Sequence, residues 1–359
     1  MTSYDAILFL SFGGPEGMDD VMPFLENVLR GKNVPQARML EVASHYQRFE
    51  GVSPINGQNR GLIEGLKQEL EMRSIKLPVY WGNRNWHPLL ADTLRQMKAD
   101  GIKRALVFIT SAYSSYSGCR QYREDIEKAQ IEAAAGDIQF DKLRVFYNHP
   151  LFVEANIEAV KAGLAQFSQV DQKDLHVAFT AHSIPMAMAN NCDYVKQLTE
   201  TCELTAKALS ITNFKLVYQS RSGPPSQPWL EPDVLDYMRE LHGAGIRQIL
   251  LHPIGFISDH MEIVYDLDHE AKELGRELEI QFVRTSTVGT NPKFARMMAD
   301  LVEERLESNN VADATGATVT TKRKAIGCFG PAPDVCAPDC CSYTPTRPAH
   351  ASAQRPQST

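Results

Sequence analysis

Short apolar runs alternate with amphipathic helical patterns along most of this 359-residue chain. Such runs are typical of buried strands, and apolar residues at three- and four-residue spacing are typical of helices. The alternation predicts parallel sheets joined by right-handed helical crossovers. The predicted strands are residues 6–12, 77–81, 105–110, 143–147, 176–180, 215–218, 248–251 and 279–283. The predicted helices are residues 19–29, 61–72, 88–99, 120–134, 152–167, 193–209, 234–242 and 293–307.

An internal repeat indicates two similar halves. Residues 93–106 match residues 237–250 as a helix, a glycine and a strand in the same order. Two α/β halves of this kind leave a cleft between the ends of their strands. We expect an α/β protein with an N-terminal half at 1–168, a C-terminal half at 169–308, and a linker with a Cys-rich, largely disordered tail at 309–359.

The composition is that of a soluble globular protein. Hydrophobic residues make up 43% of the chain and charged residues 23%, and the length suffices for two domains. No apolar run approaches the ~20 residues of a membrane span and no secretory signal precedes the first strand, so we expect a cytoplasmic protein without a transmembrane segment. The net charge is 37 minus 44, or −7, without a long basic run, which argues against a nucleic-acid partner.

One histidine stands where a predicted strand ends. The apolar run at residues 176–180 leads directly to His182 and then to Pro185, which interrupts regular structure. In open α/β sheets ligands bind beyond the carboxyl ends of the strands, and imidazole titrates near neutral pH. His182 is therefore placed to touch a ligand, although a histidine bonded to loop backbone fits the same pattern.

Three acidic residues recur within a predicted helical segment at residues 255–273. Glu262, Asp266 and Glu270 are spaced four residues apart, which stacks their carboxylates along one stripe, and a wider π-type turn would align them better. Like charges at this spacing repel each other. The row predicts a path for a divalent cation toward the histidine, with a solvated acidic face as the alternative.

Glycine, aromatic and hydroxyl residues follow three predicted strands of the first half. Gly13 and Gly14 follow the first strand, where a glycine pair lets the backbone approach a flat ligand. Residues 82–88 follow the second strand and residues 110–122 the third, and both segments are rich in aromatic or hydroxyl groups. These groups suit a planar amphipathic ligand, while ordinary packing explains any one of the aromatics alone.

Five short motifs occur in order along the chain. They are SFGGP from Ser11, GVSPIN from Gly51, GNRNWHP from Gly82, TAHSIP from Thr180 and SDHME from Ser258. Together they resemble ferrochelatase, the family of enzymes that insert ferrous iron into a porphyrin to make haem, over about residues 4–306. The resemblance implies two Rossmann-like halves of the chelatase type, with parallel sheets flanked by helices and the active-site cleft between them.

The resemblance also implies which residues carry the chemistry. His182 and Glu262 are the implied catalytic pair and metal ligands, and Asp266 and Glu270 continue the metal-binding row along a π-helix. A free-base porphyrin loses two N–H protons as the metal enters, so a neutral imidazole with a carboxylate beside it suits the reaction. The implied partners are Fe²⁺, as the substrate metal, and a porphyrin, and we expect a monomer. The division of labour within the pair stays open.

Four residues are implied to bind the porphyrin. Phe12 replaces a tyrosine of many bacterial members and cannot ligate metal, so we expect it to pack on the macrocycle. Arg30, Ser53 and Tyr122 match positions that hold propionates in coproporphyrin-using relatives. Coproporphyrin III is therefore the expected substrate, with protoporphyrin IX as the other possibility. A cobalt or nickel tetrapyrrole chelatase and a non-catalytic tetrapyrrole-binding protein are the alternative functions.

Four of the seven cysteines crowd into the predicted tail, namely Cys328, Cys336, Cys340 and Cys341. In a cytoplasmic protein such spacing favours metal binding over disulfides, and thiolates suit structural zinc or an iron–sulfur cluster. A tail without metal is the remaining alternative. Some ferrochelatases carry a 2Fe–2S cluster on C-terminal cysteines, one ligand sometimes coming from the body, so the resemblance favours a cluster on these four residues.

Overall fold

Two parallel four-stranded sheets form the framework of the protein. The computed structural model describes residues 4–31, 34–167, 174–311 and 323–343, with the backbone alone at 308–311. The strands are β1 (Ala6–Ser11), β2 (Val79–Asn83), β3 (Arg104–Ile109), β4 (Gln139–Lys142), β5 (Leu175–His182), β6 (Phe214–Gln219), β7 (Gln248–His252) and β8 (Gln281–Arg284). The order β2-β1-β3-β4 of the first sheet recurs as β6-β5-β7-β8 in the second. The two-half α/β fold expected from the repeat is confirmed.

Helices connect the strands and cover the sheets. The α-helices are α1 (Met18–Leu29), α2 (Gln36–Gln47), α3 (Ile55–Met72), α4 (Leu90–Ala99), α5 (Gln121–Glu132), α6 (Pro150–Leu164), α7 (Met186–Ala189), α8 (Tyr194–Ala208), α9 (Val234–Gly243), α10 (Met261–Tyr265), α11 (Lys272–Glu277) and α12 (Pro292–Val311). Two short π-helices are π1 (Tyr116–Arg120) and π2 (Asp266–Ala271). None of the helices in the described ranges is long and apolar enough to span a lipid bilayer.

The sequence pattern misplaced one strand and missed two α-helices, α2 and the short α7. The predicted strand at residues 143–147 is wrong, because β4 lies just before it at Gln139–Lys142. The apolar run is buried in the core without being a strand, while the half-exposed β4 at the sheet edge lacks an apolar signature. Helix α2 buries only Ala43 and Tyr46, so its sequence carries little helical periodicity.

A continuous hydrophobic core joins the two halves. It contains Phe9 and Phe108 from the first sheet, Phe179 from the second, and Phe294 from α12. All six residues of β1 are buried, as expected for a central parallel strand covered by helices on both faces. The shared core holds the sheets in place, so that the loops after their carboxyl ends can form a site between them.

The repeated glycines end equivalent helices. Gly101 follows α4 with φ of +80° and Gly245 follows α9 with φ of +88°, a left-handed conformation that favours glycine. The predicted boundary between residues 168 and 169 lies outside the described residues, as do 312–322 and 344–359 of the predicted tail. Residues 323–343, which we call the cysteine segment, are described and lie against the body of the protein.

Candidate active site

His182 is the last residue of β5, and its imidazole lies beside the carboxylate of Glu262. The strand pairs with β6 on one side and β7 on the other, which fixes the position of its end. The Nδ1 atom of His182 donates to the carbonyl oxygen of Ser183, and Nε2 lies 3.5 Å from Oε2 of Glu262. The strand-end histidine and the acidic helix therefore meet, as the resemblance implied, with Nε2 directed at the carboxylate.

The two side chains change each other's pKa. Burial opposes the charge on His182, but the adjacent Glu262 carboxylate outweighs it and raises the pKa of His182. Burial likewise opposes the charge on Glu262, yet His182 lowers the pKa of Glu262. The side chains remain 32% and 50% exposed, so water and a small cation can reach both. At neutral pH the open cleft therefore holds an imidazolium–carboxylate pair.

Two further residues surround Glu262, and sequence reasoning gave neither a role. Nδ1 of His260 accepts a hydrogen bond from the backbone N–H of Glu262 at 3.2 Å and caps α10. Burial lowers the pKa of His260, which keeps that nitrogen an acceptor. Burial of the Tyr46 hydroxyl, on α2, raises the pKa of Tyr46, and the negative charge of Glu262 raises it further. The backbone of Glu262 is thus fixed by the second half, while its charge also acts on a tyrosine of the first half.

Asp266, the second member of the acidic row, is held by the ends of two strands. Ser220 and the Nε2 of Gln219 donate to the same carboxylate oxygen, and Oε1 of Gln219 accepts from the hydroxyl of Thr180 at 2.9 Å. Burial raises the pKa of Asp266 to about 7, with Glu262 and Glu270 adding to it. Burial also raises the pKa of Glu270. The expected π-helix is present as π2, which begins at Asp266.

Arg84 brings together the two aromatic residues that were predicted to bind the porphyrin. Its guanidinium carbon lies 5.6 Å from the ring centre of Phe12 and 4.6 Å from that of Tyr122. Its Nε donates to Oδ2 of Asp125 at 2.5 Å. The signal for Arg84 was its place in the motif after β2, but its contacts come from two other segments, the loop after β1 and helix α5.

Phe12 also packs where the halves meet. Its ring stands edge-on to Phe24, with centroids 6.3 Å apart. Phe24 belongs to a buried cluster that includes Trp86 of the first half and Met261, the residue before Glu262. The Phe12 wall of the cleft is therefore continuous with the helix that carries Glu262.

Arg30 and Ser53 occupy different depths of the first half. Arg30 is exposed, and its Nη2 donates to Oδ1 of Asn27, whose Nδ2 donates to the carbonyl of Asn85 at 3.2 Å. Ser53 is only 4% exposed and lies against Gly14, where an added Cβ would approach its Oγ to 2.8 Å. Arg30 therefore lies at the surface, whereas Ser53 is buried against the loop after β1 that contains Gly13 and Gly14.

Helix α2 crosses from the first half to the acidic helix. The His45 ring stacks on Tyr265, with centroids 3.6 Å apart and planes 7° from parallel. Nη1 of Arg48 lies 3.0 Å from Nε2 of His269 in π2. These contacts make α2 a cover over one end of the acidic row.

The cysteine segment places the thiol of Cys336 against Cys119, a cysteine of the body, and the thiols of Cys340 and Cys341 follow it in series. Buried Cys119, in π1, hydrogen-bonds to Cys336, and this bond, aided by Lys142, lowers the pKa of Cys336 to about 7. Cys336 also hydrogen-bonds to Cys340, and the Sγ atoms of Cys340 and Cys341 lie 3.5 Å apart. Sequence reasoning did not select Cys119, whose only signal was its place after a strand end.

Cys328 has a different partner. Its Sγ lies 3.2 Å from Oε1 of Glu200, and this hydrogen bond raises the pKa of Cys328. Within the described ranges, no three His, Cys, Asp or Glu side chains are arranged to hold a single metal ion. The thiols contact one another in consecutive pairs instead, and pairs suit a 2Fe–2S cluster because each of its irons takes two protein ligands.

Comparison with known proteins agrees with the geometry. The family model described as Ferrochelatase matches residues 4–306. A ferrochelatase of Rhodopirellula baltica is 56% identical over 346 residues, 96% of this chain and 95% of the relative. A coproporphyrin III ferrochelatase of Streptomyces coelicolor is 46% identical over 371 aligned positions, 98% and 97% of the two chains.

A solved structure shares the fold. The sirohydrochlorin chelatase SirB of Bacillus subtilis subspecies spizizenii, in complex with cobalt, superimposes with a TM-score of 0.52 at 12% identity. The match covers 86% of this chain and 98% of that one, and at this identity it shows the fold alone. The residue motifs, the family match and the relatives agree: the chain belongs to the ferrochelatase family, whose members insert ferrous iron into porphyrins in haem biosynthesis.

Proposed function

We propose that this enzyme inserts Fe²⁺ into coproporphyrin III in preference to protoporphyrin IX. Coproporphyrin III has four propionates and protoporphyrin IX two, so a polar, cationic cleft edge favours the former. The observation that carries the proposal is the series Arg30, Asn27 and Asn85, linked by hydrogen bonds at the side of the cleft where Arg84 contacts Phe12 and Tyr122. The substrate named for the Streptomyces coelicolor relative supports it.

His182 is the proton acceptor in this mechanism, with Glu262 controlling its charge. In the open cleft Glu262 raises the pKa of His182 and keeps it protonated. Fe²⁺ arriving at the Glu262 carboxylate competes with the imidazolium, and repulsion between the two cations lowers the pKa of His182. The imidazolium passes its proton to the acidic row, and Nε2 then faces the cleft with a lone pair. It takes the two pyrrole protons in turn as iron enters the ring, and hands each on to the row.

Asp266 and Glu270 form the path to this pair. Oxygen ligands suit a divalent cation, and burial holds the pKa of Asp266 at about 7, so this carboxyl can exchange a proton or an ion near neutral pH. The row therefore guides Fe²⁺ inward and carries released protons outward. Neither a cobalt or nickel specificity nor a purely binding role has an observation of its own in the described residues.

Kinetics with the two porphyrins test the substrate. We expect kcat/KM for Fe²⁺ insertion to be at least about tenfold higher with coproporphyrin III, which is ~1.4 kcal/mol, or one charge-assisted hydrogen bond. Arg30→Gln should reduce the advantage, because the exposed guanidinium then no longer meets a propionate. The exposed arginine Arg38 of α2, paired with Glu41, provides the matched control Arg38→Gln. Equal or higher efficiency with protoporphyrin IX would contradict the assignment.

A 2Fe–2S cluster on the cysteine segment is the second part of the proposal. The donor set is Cys119, Cys336, Cys340 and Cys341, which contact one another in series. Cys119 thus replaces Cys328 as the fourth cluster ligand, because the Cys328 thiol is hydrogen-bonded to Glu200. A bound cluster would supply a cross-link between body and segment and a group sensitive to oxidants, since insertion of Fe²⁺ requires no redox step.

Metal analysis of anaerobically purified protein tests the cluster. We expect visible absorption with iron and acid-labile sulfide in equal amounts, lost in Cys119→Ser and retained in Cys328→Ser. The two variants remove one thiol each, so they separate the two ligand sets. Colourless protein with zinc and no sulfide would rule out the cluster, and loss of colour in Cys328→Ser alone would restore the original ligand set.

A further inference from the structure

Glu200 is a buried carboxylate that receives the backbone of the cysteine segment. It lies on α8, is only 3% exposed, and belongs to the second half. Its Oε1 accepts from the backbone N–H groups of Cys328 at 2.6 Å and Phe329 at 3.2 Å, and from Sγ of Cys328 at 3.2 Å. Successive N–H groups that converge on one oxygen form a concave anion site. The segment therefore supplies the hydrogen bonds that a buried carboxylate needs.

The backbone conformation at Gly327 allows the segment to approach Glu200 closely. Gly327 has φ of +89°, and a Cβ added there would lie 2.4 Å from Oε1 of Glu200. Glycine alone permits both the left-handed backbone and the close approach. The segment cannot make the same contact with any larger residue at position 327.

Asn148 and Lys196 contact the segment on either side of Glu200. The Asn148 carbonyl accepts from Ile326 N, its Nδ2 donates to the carbonyl of Gly330 at 2.7 Å, and the same Nδ2 lies 3.4 Å from Glu200 Oε2. The ammonium of Lys196, on α8, lies 4.0 Å from the ring centre of Phe329. Both halves thus bind one short stretch of the segment, Asn148 from the first and Glu200 from the second.

This contact lies between two other attachments of the segment. Before it, Lys324 donates from its backbone to Glu304 and from Nζ to Asp300. After it, Arg120 donates to the carbonyls of Pro338 and Cys340. Attachment at residues 327–330 shortens the unattached stretch of chain before Cys336. A shorter stretch raises the effective concentration of the Cys336 thiol near Cys119.

We propose that Glu200 and Asn148 form a docking site for the cysteine segment, and that Glu200 is the positioning residue that brings the segment thiols to Cys119. Cys328 acts here as a thiol donor to the carboxylate rather than as an iron ligand. The role in cluster retention rests on the proposed 2Fe–2S cluster, whereas the docking does not.

The test compares Glu200→Ala with Glu203→Ala. Glu203 lies one turn along α8 and is exposed, so its replacement removes a charge from the same helix without removing the contact. The first readout is hydrogen exchange of the Cys328 and Phe329 amides in protein stripped of metal. The second is the rate at which visible absorption is lost in the presence of a chelator.

We expect amide exchange and loss of absorption to be at least about tenfold faster in Glu200→Ala, with Glu203→Ala like the wild type. Unchanged exchange would overturn the docking site, and faster exchange with unchanged cluster loss would overturn the positioning role. Wild-type protein that binds no iron and sulfide would refute the cluster, while the exchange data would still decide the docking. If Glu200→Ala does not fold, Gly327→Ala removes the contact from the segment side, with the same expected changes.

Discussion

At the scale of single residues, Arg84 makes contacts that no local pattern contains. Its guanidinium lies against Phe12 and Tyr122 and forms an ion pair with Asp125, whose carboxylate is 2.5 Å from Nε. A planar guanidinium can stack and bond at once, which an ammonium cannot do. Arg84 therefore positions both aromatic residues of the first-half wall.

We expect Arg84→Lys to raise KM for the porphyrin about tenfold with a smaller change in kcat. The lysine keeps the charge but loses the stacking and the fixed bond to Asp125, so Phe12 and Tyr122 lose their common neighbour. Steady-state kinetics with porphyrin binding followed by fluorescence measure the effect. The exposed Arg95, paired with Asp92, offers Arg95→Lys as the control. A wild-type KM for the porphyrin in Arg84→Lys would contradict a role of Arg84 in porphyrin binding.

Sequence reasoning at this scale succeeded where chemistry and a strand or helix end coincide. His182 follows an apolar strand, and Glu262 is spaced regularly with Asp266, so short patterns brought both to attention. Cys119 and Glu200 are different, because their partners lie more than a hundred residues away in the cysteine segment. Only the folded chain brings such pairs together, and one sequence contains no signal for them.

At the scale of elements, the ends of β5 and β6 and the helix π2 act as one unit around Asp266. Ser220, immediately after β6, has φ of +61° and donates its hydroxyl to the Asp266 carboxylate. Gln219 connects the same carboxylate to Thr180 of β5. The acidic row was visible in the sequence, whereas the serine and glutamine that support it were not, since strand pairing places them there.

We expect Ser220→Ala to raise the iron concentration needed for half-maximal rate several-fold at pH 7. The Ser220 hydroxyl lowers the pKa of Asp266, so its removal raises that pKa further and leaves the carboxyl protonated and a poorer iron ligand. The requirement should return toward the wild-type value as the pH is raised. Ser210→Ala is the control, because Ser210 also has a positive φ of 55° but is exposed at the end of α8. A pH-independent effect would contradict the explanation.

At the scale of the whole molecule, the repeated topology could be predicted because strand and helix patterns are local and the repeat is in the sequence. The contacts between the two halves could not be predicted from the sequence. Tyr113 of the first half donates to the carbonyl of Ile254 in the second at 2.8 Å, and Gln58 accepts from the backbone of Asp259 at 2.9 Å. These bonds depend on side-chain positions that the two sheets fix only together.

Two buried histidines make the stability of the molecule depend on pH. Burial lowers the pKa of His149 and of His252 to about 3 each. Both pKa values lie below that of an unfolded chain, so the unfolded state binds more protons as the pH falls below ~6.5. Their stabilisation is therefore complete above that pH and is lost progressively toward pH 3.

We expect the free energy of unfolding to fall by about 2 kcal/mol for each histidine between pH 7.5 and 5. Urea unfolding at several pH values measures it, and His252→Gln should remove about half of the decline that the two histidines cause. His242, whose side chain is partly exposed on α9, gives the control His242→Gln. A decline in His252→Gln equal to that of the wild type would contradict the buried neutral state of His252.

The most direct measurement for the central claim is anaerobic Fe²⁺ insertion by wild type and His182→Ala, with porphyrin binding measured on the same samples. We predict that His182→Ala binds coproporphyrin III nearly as tightly as wild type but forms the iron porphyrin at least about 100-fold more slowly, because the imidazole that takes the pyrrole protons is removed. Glu262→Gln should bind normally and be slower at every iron concentration. Insertion by His182→Ala at the wild-type rate would contradict the account.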